Sequence, residues 1–72
     1  MFTKKYDITV ESGNVVRFVR ILGKVGVRFE MGDEWYVVDK IDPNTKVWHR
    51  TFRVHATNKQ MKIIYHEVRK IK

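Results

Sequence analysis

The sequence predicts a small all-β domain, a strongly bent antiparallel sheet or barrel of five to six strands. Two observations carry that expectation. Apolar residues recur with a period of two along much of the chain, as in Phe2, Tyr6, Ile8 and Val10 set among Thr3, Lys5, Asp7, Thr9 and Glu11, the pattern of a strand buried on one face. Turn-forming residues interrupt that pattern at short intervals, and closing the resulting sheet hides edges that otherwise invite aggregation.

The first strand ends at Ser12-Gly13-Asn14, where glycine turns the chain at little steric cost. Val15 to Leu22 is apolar on both faces except for Arg17 and Arg20, which predicts a central strand. Gly23 punctuates, and Val25, Val27, Phe29 and Met31 then alternate with Lys24, Gly26, Arg28 and Glu30 as a third strand. Met31-Gly32-Asp33-Glu34 is expected to turn the chain into a strand over Trp35 to Ile41. Asp42-Pro43-Asn44-Thr45 is the clearest turn, since aspartate suits the first position of a type I turn and proline pre-sets φ at the second. It joins Trp35–Ile41 to Val47–Ala56 as a hairpin.

A slip of one residue in that hairpin exchanges the two faces of its strands. A four-residue loop, Asp42 to Thr45, sets Ile41 opposite Lys46, Trp35 opposite Phe52, Val37 opposite Arg50 and Asp39 opposite Trp48. One face then gathers Trp35, Val37, Ile41, Trp48, Phe52 and Val54 as the expected core. The other gathers Tyr36, Val38, Lys40, Val47, His49, Thr51, Arg53 and His55. Arg50 and Asp39 intrude on the core face, and a diagonal pair at its rim would accommodate them.

The tail from Thr57 to Lys72 admits two structures. Met61, Ile64, Tyr65, Val68 and Ile71 have helical spacing, and Thr57-x-x-Gln60 has the form of a capping box,. The β-branched Ile63, Ile64, Val68 and Ile71 favour strand instead. In that alternative Gln60–Ile64 is a strand, Tyr65–Val68 a 3₁₀ turn and Arg69–Lys72 a closing strand. Ile63-Ile64-Tyr65-His66-Glu67-Val68-Arg69-Lys70-Ile71 resembles the strand, turn and strand that close many SH3-like barrels. That resemblance implies an SH3-like barrel with a short 3₁₀ or helical turn near the C-terminus.

Seventy-two residues make a single domain, 1–72, near the lower limit of a self-sufficient core,. Without cysteine no disulfide supplements that core and no thiolate metal site exists,. No apolar run approaches the roughly 20 residues that span a bilayer, and Thr3-Lys4-Lys5-Tyr6-Asp7 is too polar for a signal sequence,. A cytoplasmic protein with no membrane role, either monomer or homodimer, is expected. Fifteen Lys and Arg against eight Asp and Glu leave a formal charge of +7, a field that attracts polyanions.

Catalytic chemistry has little to work with. The one serine, Ser12, has no histidine near it in sequence, and the glycines match no phosphate-binding loop,. His49 and His55 stand roughly 20 Å apart at ordinary strand rise, too far to share an ion. His49, Arg53, His55, His66 and Glu67 are residue types that a ribonuclease uses, but no spacing fixes their geometry. No enzyme, metal or cofactor is expected. The expected function is binding of single-stranded DNA or RNA by a basic, aromatic strand face. Lys24, Arg28, Tyr36, Lys40, His49, Arg53 and His55 form it, with cations meeting phosphates and rings stacking on bases. The alternative is a protein-interaction module whose basic face meets an acidic protein, with no nucleic-acid role.

Overall fold

In the computed structural model, which describes residues 2–71, the chain runs β1 (Lys4–Glu11), α1 (Val15–Val25), β2 (Arg28–Val38), β3 (Lys46–Ala56) and α2 (Asn58–Val68). One-turn 3₁₀ segments precede α1 at Ser12–Asn14 and follow α2 at Arg69–Ile71. The three strands form one open antiparallel sheet in the order β1-β3-β2. β1 and β2 are therefore parallel, joined through α1, with β3 inserted between them as in a split βαβ unit. The expected five- to six-stranded barrel is not formed. Its second strand and its closing strand–turn–strand are both helices.

The error at Val15–Leu22 is one of period. As a strand, Arg17 and Arg20 fall on opposite faces and merely interrupt an apolar run. As a helix, Val15, Phe18, Val19, Leu22 and Val25 follow i, i+3, i+4, i+7, i+10 spacing and form one stripe, with Arg17, Arg20 and Lys24 opposite,. Phe18 and Leu22 are fully buried. Gly26 ends the helix at φ 83°, its N–H donating to Leu22 O at 2.9 Å. Glycine enters this left-handed region without the steric penalty of a Cβ. The third expected strand accordingly begins only at Arg28.

In the tail the capping signal prevails over β-branching. Gln60 N–H donates to Thr57 Oγ1 at 3.2 Å, and Thr57 N–H donates back to Gln60 Oε1 at 2.9 Å, so both ends of the capping box are made,. Met61 and Ile64 then reach the core. Helix stability of this kind comes from burying one face more than from intrinsic propensity. Lys72, the end of the expected closing strand, lies outside the described residues.

Both helices cover the same face of the sheet. Ile8 and Val10 of β1, Phe52, Val54 and Ala56 of β3, Phe18 and Leu22 of α1, and Met61 and Ile64 of α2 make one core. Phe18 meets Phe52 edge-on at 4.9 Å between ring centroids, and Phe29 tilts against Phe52 at 5.9 Å, within the range where aromatic pairs attract. Tyr6 Oη donates to Asn58 Oδ1 at 2.7 Å, fastening β1 to the start of α2.

Met31-Gly32-Asp33-Glu34 is not a turn but a bulge within β2. Met31 faces Phe52 and Glu34 faces Arg50, so Gly32 and Asp33 together oppose Thr51,. A Cβ at Gly32 would stand 2.9 Å from the Thr51 carbonyl oxygen, which is why glycine occupies this point of the bulge. The hairpin ladder ends at Val38 opposite Lys46, and Asp39 N–H donates to Thr45 O at 3.0 Å. The connection is thus seven residues, 39–45, not four. Within it the expected turn does form, with Thr45 N–H donating to Asp42 O at 2.9 Å.

Bulge and loop together overturn the expected register. Trp35 faces His49 and Tyr36 faces Trp48, which puts the two tryptophans on opposite faces. Of the six expected core residues, Phe52 and Val54 are buried while Trp35, Val37, Ile41 and Trp48 are exposed. β1 pairs with β3 only as far as Glu11 opposite His49. Beyond that point β2 and β3 continue alone as a projecting hairpin, along a molecule measuring 46 × 22 × 17 Å.

Candidate functional site

The seven residues expected to share a binding face are divided among four environments. Arg28, His49, Arg53 and His55 lie on the uncovered face of the sheet. Tyr36 is on the helix side of the hairpin, opposite Trp48, with ring centroids 4.9 Å apart and Lys46 Nζ 4.8 Å from the Tyr36 centroid. Lys40 belongs to the hairpin loop and Lys24 to α1. Only the four on the open face share a surface, and of these His49 stands apart, six residues along β3 from the Arg28/His55 pair.

That open face is charge-balanced. Arg53 Nε donates to Asp7 Oδ1 at 3.2 Å, and His55 Nε2 lies 3.2 Å from Glu30 Oε1. Cross-strand pairing sets Lys5, Arg28 and Arg53 among Asp7, Glu11 and Glu30, three cations with three acids. Farther along, the Trp35 and His49 rings stack at 4.8 Å with 20° between their planes. Trp35 Nε1 donates to Thr51 Oγ1 at 3.3 Å, and Thr51 in turn shares a 3.0 Å hydrogen bond with Thr9 Oγ1. A shallow depression of about 270 Å³ on this face is bordered by Asp7, Glu30, Thr51 and Arg53. It presents two carboxylates, Asp7 and Glu30, against the single cation Arg53, an unfavourable lining for an anion.

Arg50, which the period-two pattern left unexplained, bridges the bulge. It donates from Nη1 to Gly32 O at 3.1 Å and pairs through Nη2 with Glu34 Oε1 at 3.0 Å, so Asp39 is not its partner. Ser12 Oγ donates to the other Glu34 oxygen at 3.0 Å. The Ser12 hydroxyl first, and Arg50 second, hold the Glu34 carboxyl below the usual carboxylate range,. Asp42 is also lowered, by the Thr45 hydroxyl and then by the Asn44 N–H.

The net charge lies elsewhere. Residues 2–14 and 26–57, the sheet with its turns, contain seven Lys and Arg and seven Asp and Glu. Residues 15–25 and 58–71, the helical layer, contain Arg17, Arg20, Lys24, Lys59, Lys62, Arg69 and Lys70 against Glu67 alone. The described sheet is therefore neutral and the helices carry an excess of six positive charges. Arg17, Arg20 and Lys24 stand at i, i+3 and i+7, and Lys59, Lys62 and His66 repeat that spacing on α2. All six are exposed, opposite the buried positions of their helices. Among the described residues, the five Lys and Arg of these stripes make no ion pair.

Between the helices runs a groove of about 380 Å³ lined by Ile21, Lys24, Val25, Gln60, Ile63 and Glu67. Sequence reasoning passed over Arg17, Arg20, Lys59 and Lys62, although the i, i+3, i+7 recurrence of cations was the available signal. Among the described residues no group of three or more His, Asp or Glu is placed to hold a metal ion. No helix among them is long and apolar enough to cross a membrane. The arrangement belongs to the broad class of two-layer α/β domains, one antiparallel sheet carrying helices on one face. Beyond that class, no family model, curated protein or solved structure matches the chain.

Proposed function

We propose that this domain binds nucleic acid, without catalysis, through the phosphate backbone and by way of its helical layer. The observation that carries this reading is the segregation of charge: the whole excess of the described residues sits on α1, α2 and the turn after α2, and its two main stripes are unpaired. Unpaired surface cations keep their full attraction for an external anion, whereas Arg53 and Arg50 are already partly neutralised by Asp7 and Glu34. Each stripe extends about 10 Å at 1.5 Å per residue, long enough to meet successive phosphates of one strand. Both tryptophans, the residues most often found anchoring protein interfaces, lie away from the stripes on the hairpin. This favours a repeating anion over an acidic protein. Contacts confined to phosphates give affinity with little sequence preference.

Titration of labelled duplex and single-stranded DNA and RNA over a range of salt tests this directly. Replacing Arg17, Arg20, Lys59 and Lys62 together by Ala abolishes the shift, while Arg53→Ala with Lys40→Ala leaves it intact. If all five stripe cations engage phosphates, log K against log salt falls on duplex DNA with a slope of about −4 to −5. Absence of any shift at low salt, or an undiminished shift by the fourfold variant, would falsify the proposal. An acidic protein as the true partner would give the first of those results.

A further inference from the structure

We propose that the chain forms a homodimer by pairing the outer edge of β2 over Trp35–Val38 with the same edge of a second copy. β2 and β1 are the two edges of the sheet, and edges left open invite pairing with another strand. β1 is guarded, because Lys4, Lys5, Asp7 and Glu11 punctuate it. The first half of β2 is guarded by Arg28, Glu30 and the Gly32–Asp33 bulge. Trp35-Tyr36-Val37-Val38 has no charge, no proline and no bulge.

The hairpin that bears this edge is apolar on both faces. Trp35 and Val37 stand on one side and Tyr36, Val38 and Trp48 on the other, all between 40% and 50% exposed, and Ile41 at the tip is 94% exposed. Scaled by side-chain size, these six residues expose roughly 600 Å² per chain, so about 1,200 Å², the lower end of specific interfaces, is the ceiling for an isologous contact, and edge pairing draws on the parts that flank the new seam. Charge selects the occupant. Residues 34–50 contain Glu34, Asp39 and Asp42 with Lys40, Lys46 and Arg50, and are neutral. A partner recruited by charge would meet the helices, while the hairpin fits a neutral, apolar strand edge, which a second copy supplies. A two-fold axis perpendicular to the sheet makes the pairing antiparallel, gives a continuous six-stranded sheet and sets both helical layers on one side.

Sedimentation equilibrium in the micromolar range should return twice the 8.7 kDa chain mass. Val37→Lys combined with Val38→Lys should weaken the dimer at least tenfold while nucleic-acid binding by a single copy persists. The chain has no cysteine, so Val37→Cys introduces one thiol. Mild oxidation should cross-link that variant rapidly and leave a Lys5→Cys variant, on the opposite edge, monomeric. The thiol pair decides the matter should the lysine variant fail to fold. A monomeric wild type at hundreds of micromolar, a dimer indifferent to the two lysines, or equal cross-linking of both thiols overturns the proposal.

Discussion

Arg50 Nη1 donates to the carbonyl of Gly32 at 3.1 Å, so a charged side chain of the central strand caps the one point where the ladder of β2 is broken. The bulge at that point decides which way every later residue of β2 faces. Without the extra residue, Trp35 would turn to the helix side and Tyr36 to the open face. Gly32→Ala pushes a methyl group to 2.9 Å from Thr51 O and is expected to destabilise by about 1–3 kcal/mol. Arg50→Ala, which uncaps the bulge but leaves its backbone free of clash, should cost about 1 kcal/mol. Urea unfolding measures both, and a neutral Gly32→Ala would show that the bulge is not held as described.

Val16 tests the assignment of α1. It is 65% exposed, so replacement by alanine removes little buried surface. In a helix the change relieves a β-branched residue and should raise stability by about 0.5 kcal/mol. In a strand the same change would lower stability. The direction of the shift in thermal midpoint therefore distinguishes the two.

Phe52 is the centre of a core made from few residues. It is fully buried and touches Phe18 and Phe29. Phe52→Ala is expected to cost about 3–5 kcal/mol, comparable with the whole stability of a small domain. Circular dichroism should show a largely unfolded chain at 37 °C, and a cooperative transition near that of the wild type would contradict this core.

Stability should fall on acidification. Glu34 and Asp42 both have carboxyls lowered in the folded chain, by Ser12 with Arg50 and by Thr45 with Asn44. The unfolded chain takes up these protons first as pH drops. The stabilisation is complete above the usual carboxylate range and is lost as pH falls through the depressed folded values. Both groups are exposed, so the effect is modest. Glu34→Gln should flatten the decline of the urea midpoint below about pH 5, and an unchanged decline would remove Glu34 from the account.

Where the determinants are local, the structure follows the sequence. β1 alternates as Tyr6, Ile8 and Val10 require, the Asp42-Pro43-Asn44-Thr45 turn forms, and Phe52 and Val54 point inward. The Thr57/Gln60 capping box was visible in the tail, yet β-branching left its outcome open until Met61 and Ile64 found a core to fill. Val15–Leu22 went the other way: an apolar segment satisfies a two-residue or a 3.6-residue period with nearly the same letters, and only the arginine spacing separated them.

What the sequence by itself determined is the alternation of β1, the turn chemistry of Asp42–Thr45 and the +7 charge. Tertiary structure decided where that charge resides. Three cations of β3 face acids contributed by distant segments: Arg53 meets Asp7, Arg50 meets Glu34 and His55 meets Glu30. Those pairings exist only because β3 lies between β1 and β2 in a register shaped by one bulged residue. The physical reason is that side-chain facing depends on a parity, which a single extra residue reverses, and parity across strands is a property of the assembled sheet rather than of any one segment. Neutralised on the sheet, the positive charge is left to the helices.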